Sequence, residues 1–268
     1  MRLRIITAVF GIPLLLGIVL SGAWILKLAI GVMVLVGLYE FYSAMEKKVN
    51  PIKYVGYIFT IIFTLFVFPY DEWYFVFFIC FLFALLLSII FFHSKYNIID
   101  VAITFIGFFY VCILFFYVQK VRNLTYGEFF VWLIFISAWG SDTLAYFTGI
   151  TIGKHKLCPK LSPKKTVEGA LGGIAGGAIL SFIYGIVVAY FIQIPISHFS
   201  IICFVIGGAG AIVSQLGDLT ASSIKRYVNI KDYGNLFPGH GGVLDRFDSI
   251  LFTAPLVYYS IMIFNQIF

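Results

Sequence analysis

Charge is the scarcest commodity in this sequence. Asp, Glu, Lys and Arg make up only 11% of its 268 residues, and the net charge is a modest +6. That excess is too small to point to nucleic acid as a partner. Cysteine is also sparse: Cys80, Cys112, Cys158 and Cys203 form no CxxC pair, and three of them lie in apolar stretches. Neither a zinc site nor a disulfide framework is supported; buried free thiols are expected. No internal repeat of fixed period occurs, and the inverted halves of many secondary transporters are not evident.

What the chain does have is apolar bulk, with 62% hydrophobic residues, 19% aromatic residues and a mean hydropathy of +1.03. Apolar stretches close to the ~20 residues that cross a bilayer recur throughout. The expected fold is all-α: a polytopic integral membrane protein of about nine transmembrane helices, near 5–21, 23–43, 53–70, 73–92, 98–119, 127–149, 169–192, 199–223 and 248–267. The first segment follows Arg2 and Arg4 and reads as a signal anchor that stays as a span, because further spans follow at once. Lysines and arginines after the second, fourth, sixth and eighth segments put the N-terminus in the cytoplasm by the positive-inside rule. Lys120 and Arg122 object, since that scheme places them outside.

Two regions follow from composition. Residues 1–125 are rich in Phe, Leu, Ile and Val and read as N-terminal transmembrane scaffold facing lipid; Lys27 and Glu40 are the charges inside its second segment, and no function is assigned to this half. Residues 126–268 form the expected catalytic region, with cytoplasmic loops at 150–168 and 224–247. Here glycine rises, and Gly169, Gly173 and Gly177 share one helix face, a small-xxx-small pattern that permits close helix approach in lipid.

The few charges of the second region are concentrated. Asp142 lies deep in an apolar segment, where an ionised carboxylate is costly unless partnered. It is either a hydrogen-bonded packing residue or an acid facing a polar cavity. Lys164 and Lys165 follow a helix-breaking Ser162-Pro163 and lead through Thr166 into Glu168 at a helix N-terminus, where free backbone N–H groups favour anions. These lysines serve either lipid headgroups or a bound phosphate. Asp218, Ser222 and Lys225 share a helix face, so Asp218 either pairs with Lys225 or binds a cation. Asp245 and Asp248 open the last helix behind a glycine-rich turn, where one of them suits the helix dipole but capping does not explain both. Hard carboxylate oxygens favour Mg²⁺ over softer metals. His240 beside them suits a phosphate or hydroxyl contact better than a metal. Carboxylates and bases gathered at one membrane rim are the inventory for metal-assisted phosphoryl or nucleotidyl transfer.

The run Ser222-x-Ile-Lys225-Arg226-x₄-Lys231-Asp232-x₅-Pro238-Gly-His240-Gly241-Gly242-x-x-Asp245-Arg246-x-Asp248 resembles the signature of the phosphatidate cytidylyltransferases, or CDP-diacylglycerol synthases. Ser162-Pro-Lys164-Lys165-Thr166-x-Glu168-Gly, Asp142-x-x-Ala-Tyr146 and Gln215-x-Gly-Asp218 are also similar to that family's motifs; Val167 departs from its frequent Trp. The resemblance covers roughly residues 137–250. It implies conversion of CTP and phosphatidate in the bilayer into CDP-diacylglycerol and pyrophosphate, with Mg²⁺ as cofactor and a second cation left open. It further implies Asp218 and Asp245 as metal ligands, supported by Asp248 and Asp142. Lys164, Lys165, Lys225, Arg226, Arg246 and His240 would act in catalysis. Ser162, Thr166, Glu168, Ser222, Lys231, Gly241 and Gly242 would bind substrate. The implied setting is a bacterial inner membrane with the site facing the cytoplasm; homodimerisation is left open. Rival readings are a CDP-archaeol-type synthase, a CTP-dependent polyprenol or dolichol kinase, and an anion transporter using Asp142 and Asp218.

Overall fold

Lipid offers no hydrogen bonds to a backbone, so an apolar run must satisfy its own N–H and C=O groups by becoming helical. In the computed structural model, which describes residues 2–68, 70–239 and 241–267, each of the nine expected segments is helical. The first helices are α1 (Arg2–Leu20), α2 (Ala23–Met45), α3 (Lys53–Ile62) and α4 (Tyr74–Phe91). Next come α5 (Ile98–Gly107) and α6 (Leu114–Arg122), joined by a π-helical stretch, Phe108–Ile113, into one rod. The second region holds α7 (Gly127–Thr151), α8 (Val167–Ile192), α9 (Phe199–Tyr227) and α10 (Leu244–Ile267).

Among the described residues, seven of these runs are long and apolar enough to cross a membrane; Lys53–Val67 is apolar but shorter. Seven such helices make this an integral membrane protein, while nine remains an approximate count of its spans. The outward faces fit that setting, for Phe75, Phe83, Ile90, Leu171, Tyr190 and Phe191 are all exposed.

Two departures from the expected pattern occur. The 150–168 segment is not a plain loop, because β1 (Lys156–Cys158) and β2 (Ser162–Thr166) pair antiparallel as a hairpin. The 224–247 loop is shorter than expected: α9 runs to Tyr227 and α10 begins at Leu244, so Lys225, Arg226, Asp245 and Arg246 all stand on helices.

The two halves pack by different means. In the first, Phe63, Phe77, Phe81 and Phe108 interlock with centroids 4.8–6.4 Å apart, the offset and edge geometries that ring quadrupoles prefer. In the second, α7, α8 and α9 approach through small residues. A Cβ on Gly173 would lie 2.8 Å from the Ser141 carbonyl oxygen, and one on Gly177 would lie 2.8 Å from Ala211 Cβ. Without a hydrophobic drive between helices in lipid, such close van der Waals contact holds them together.

The helices alternate in direction, which gathers the ends of α2, α7 and α9 with the starts of α8 and α10. Lys120 and Arg122 lie at the opposite end. Lys120 pairs with Asp71 at 3.0 Å and faces the Tyr74 ring at 4.8 Å, and Arg122 pairs with Glu128 at 3.4 Å. The two cations that objected to the expected topology are thus matched by carboxylates at their own end.

Candidate active site

The polar end of the bundle contains two adjoining arrangements. The first is a cavity of about 580 Å³ bounded by α7, α8, α9 and the hairpin. Asp142, Lys164, Lys165, Thr166 and Asp218 line it. Lys165 forms an ion pair with Asp218. Asp142 is open to the cavity, which decides between its two readings: it faces polar space rather than a packed helix seam. Gln215 fixes the walls, its Nε2 donating to Ser141 Oγ at 3.2 Å and to the Ala170 carbonyl at 3.0 Å.

The hairpin that presents the lysines is tied down locally. Thr166 caps α8, its Oγ1 accepting from Gly169 N at 3.1 Å. Glu168 accepts from Lys154 N at 3.1 Å and pairs with His155 Nδ1 at 2.6 Å. Thr166 therefore serves the helix start as well as lining the cavity, and Glu168 holds the strap that leads into the hairpin. Ser162 begins β2, opposite Cys158.

The second arrangement joins α9 to α10. Asp245 is almost fully enclosed, its side chain 2% exposed. Oδ1 accepts from Lys225 Nζ at 2.8 Å, while Oδ2 accepts from Tyr233 N at 2.7 Å and Gly242 N at 3.0 Å. Lys225 thus reaches across to α10 instead of pairing with Asp218 on its own helix, as the sequence spacing allowed. Ser222 Oγ lies 3.5 Å from Asp218 Oδ1, at the limit of a hydrogen bond. Gly241 has a φ of +86°, and a Cβ there would meet Asp245 Oδ2 at 2.7 Å, so both conformation and space call for glycine. The loop also buries Tyr233, whose hydroxyl donates to the Ala221 carbonyl at 3.3 Å. Burial, reinforced by Tyr110 and the nearby aspartates, pushes that hydroxyl well above its usual range, so it stays a neutral donor.

A carboxylate outside the expected site completes this region. Glu40 of α2 is 4% exposed, and its two oxygens accept from Val243 N and Leu244 N at 2.9 Å each. These are orphan donors at the start of α10, so a residue some two hundred positions earlier caps the helix that carries Asp245 and Asp248. Gly242 packs directly on the same carboxylate. The sequence held one clue: an acid inside an apolar helix needs a partner.

Electrostatics joins the two arrangements. Asp248 feels the charges of Asp218, Lys225 and Asp142, and Asp142 feels Asp218, Lys165 and Arg246. Arg246 is exposed on the first turn of α10, Arg226 is exposed on the last turn of α9, and Lys231 is exposed in the loop between them. His240 lies outside the described residues. Among the described residues, no three His, Cys, Asp or Glu side chains are close enough together to hold a metal ion as they stand. Lys165 and Lys225 instead neutralise the carboxylates. The donor chemistry still fits a hard cation, because every candidate is a carboxylate oxygen and Asp218 is held by the Lys165 ammonium and by Ser222 at the limit of a hydrogen bond.

Residues 2–264 match a family model described as the cytidylyltransferase family. A protein of Staphylococcus epidermidis (strain RP62A) named phosphatidate cytidylyltransferase is 33% identical over 266 residues, covering 96% of this chain and 97% of that protein. One of the same name from Synechocystis is 32% identical over 294 residues, covering 97% and 96%. Another from Bacillus subtilis is 40% identical over 157 residues, covering 58% of this chain and 56% of that protein.

Proposed function

The chain belongs to the cytidylyltransferase family, and from that premise we propose that it converts CTP and phosphatidate into CDP-diacylglycerol and pyrophosphate. The observation that carries this reading is the cavity in which Lys164 and Lys165 face Asp142 and Asp218 at the polar end of a membrane bundle. A phosphate oxygen of phosphatidate attacks the α-phosphorus of CTP. A new P–O bond forms as the bond to the β-phosphate oxygen breaks, and pyrophosphate leaves. The nucleophile is already an anion, so the chain has little need of a general base. Its task is to bring two polyanions together in line and neutralise the charge that builds on the leaving group.

Lys164 and Lys165 take the polyphosphate, and the ammonium of Lys165 exchanges Asp218 for phosphate oxygens. Arg226, Lys231 and Arg246 supply positive charge at the rim, with Arg246 suited to bidentate contact with phosphate. His240 is assigned a phosphate contact. Asp218 and Asp245 would hold Mg²⁺, supported by Asp248 and Asp142; a carboxylate accepts about four hydrogen bonds, so the three on Asp245 leave it capacity. Bound Mg²⁺ would screen the phosphates and polarise the phosphorus under attack. Lys225, paired with Asp245, holds that carboxylate in its orientation. The lysine-rich hairpin and the α9–α10 loop are assigned to the cytoplasmic side of a bacterial inner membrane, where soluble CTP meets a membrane-held lipid.

Purified protein given Mg²⁺, labelled CTP and phosphatidate is expected to form CDP-diacylglycerol, and Asp218→Asn is expected to lose turnover while still folding and inserting. Near-normal turnover by that variant would remove Asp218 from the metal site.

A further inference from the structure

Tyr110 is a polar residue in the half of the chain to which the sequence assigned no chemistry. It lies in the π-helical stretch Phe108–Ile113 between α5 and α6. Such widened turns re-aim side chains and concentrate at functional sites. The residue is only 8% exposed. Its ring packs between Phe41 of α2 and Phe252 of α10, with centroids 5.9 and 6.3 Å away. Phe252 in turn lies against Gly217, where a Cβ would come within 3.1 Å of its ring and 2.7 Å of the Asp248 carbonyl oxygen. Tyr110 is thereby anchored at the α9–α10 seam that carries Asp218 and Asp248, and the charges of Asp248, Asp218 and Asp245 all act on its hydroxyl.

That hydroxyl is buried and makes no hydrogen bond. A buried donor without a partner costs stability, and phenylalanine would fill the same space without the penalty. None of the three aspartates accepts from it: Asp245 takes Lys225 and two backbone N–H groups, Asp218 pairs with Lys165, and Asp248 accepts from Ser249 N. A neutral donor held among carboxylates suits an anionic acceptor that arrives with substrate. Tyr110 does not line the cavity of Lys164 and Lys165; its ring contacts are with α2 and α10, within the membrane-spanning part of the bundle. Two phosphate-bearing substrates that react in line need two directions of approach.

We propose that Tyr110 binds the lipid substrate, its hydroxyl donating a hydrogen bond to a phosphate oxygen of phosphatidate; this rests on the cytidylyltransferase reading above. The test compares wild type with Tyr110→Phe in mixed micelles, varying CTP and the mole fraction of phosphatidate separately. Loss of one hydrogen bond to a charged group predicts a roughly 10- to 100-fold rise in KM for phosphatidate, with KM for CTP within about twofold. The melting temperature is expected to hold or rise, because the hydroxyl gives up no partner. An unchanged KM for phosphatidate, an equal rise in both KM values, or a lower melting temperature that accounts for the lost activity overturns the proposal. Wild-type turnover separates the two levels of failure. If wild type makes no CDP-diacylglycerol, the functional reading fails and takes this inference with it. If wild type turns over and Tyr110→Phe matches it, the inference alone fails.

Discussion

Removing the Glu40 carboxylate tests whether α10 is held in place from α2. Its oxygens receive two backbone N–H groups at 2.9 Å, in a site where the residue is 4% exposed. A hydrogen bond to a charged group is worth about 1.5–3 kcal/mol, so the pair contributes roughly 3–6 kcal/mol before the cost of burying the charge. Glu40→Ala loses both acceptors and strands two buried donors. Glu40→Gln keeps one carbonyl oxygen but turns an NH₂ toward the other N–H, so about half the loss is expected. Detergent-solubilised variants would be compared by thermal unfolding and by kcat/KM. The expected order of stability is wild type, Gln, Ala. The loss in kcat/KM should exceed about tenfold for Ala, because Asp245 and Asp248 ride on the first turns that Glu40 anchors. A Glu40→Ala protein with wild-type melting and wild-type kcat/KM would refute the reasoning.

Three further outcomes follow from the packing and charge pattern. Asp245→Asn should abolish turnover and destabilise by about 3–5 kcal/mol, since Lys225, 15% exposed, would be left without its counter-charge; a denaturant or thermal series checks this, and unchanged unfolding contradicts it. Gly173→Val should cost about 1–3 kcal/mol through collision with the α7 backbone at Ser141, visible as reduced yield of folded protein. Chelation of divalent cations should stop turnover and added Mg²⁺ should restore it, whereas full activity in excess chelator removes the cation from the reaction.

The helices were legible because hydropathy averages over many residues, and lipid leaves an apolar run little choice but helix. The meeting of Asp142, Lys164, Lys165 and Asp218 was also legible in outline, as rare charges placed at the ends of apolar segments on one side. Pairing was not. Spacing along α9 suggested Lys225 for Asp218, yet the long lysine side chain crosses to α10, and Asp218 takes Lys165 from the hairpin. The hairpin itself was hidden because its closure depends on Glu168 and His155 meeting at its base, while its strands are only three and five residues long. Glu40 escaped assignment because its partners are backbone N–H groups, which carry no mark in the sequence. Tyr110 is one of 17 tyrosines in an aromatic-rich chain, and nothing but its placement distinguishes it.

The central claim is transfer of a cytidylyl group, and the fate of the CTP phosphates tests it most directly. Purified protein, Mg²⁺ and phosphatidate would be incubated in parallel with CTP labelled at the α- or the γ-phosphate, and the lipid and aqueous phases counted. The account predicts α-label in the lipid product and γ-label released as pyrophosphate. Label from the γ-phosphate in the lipid, or none from the α-phosphate, would contradict it.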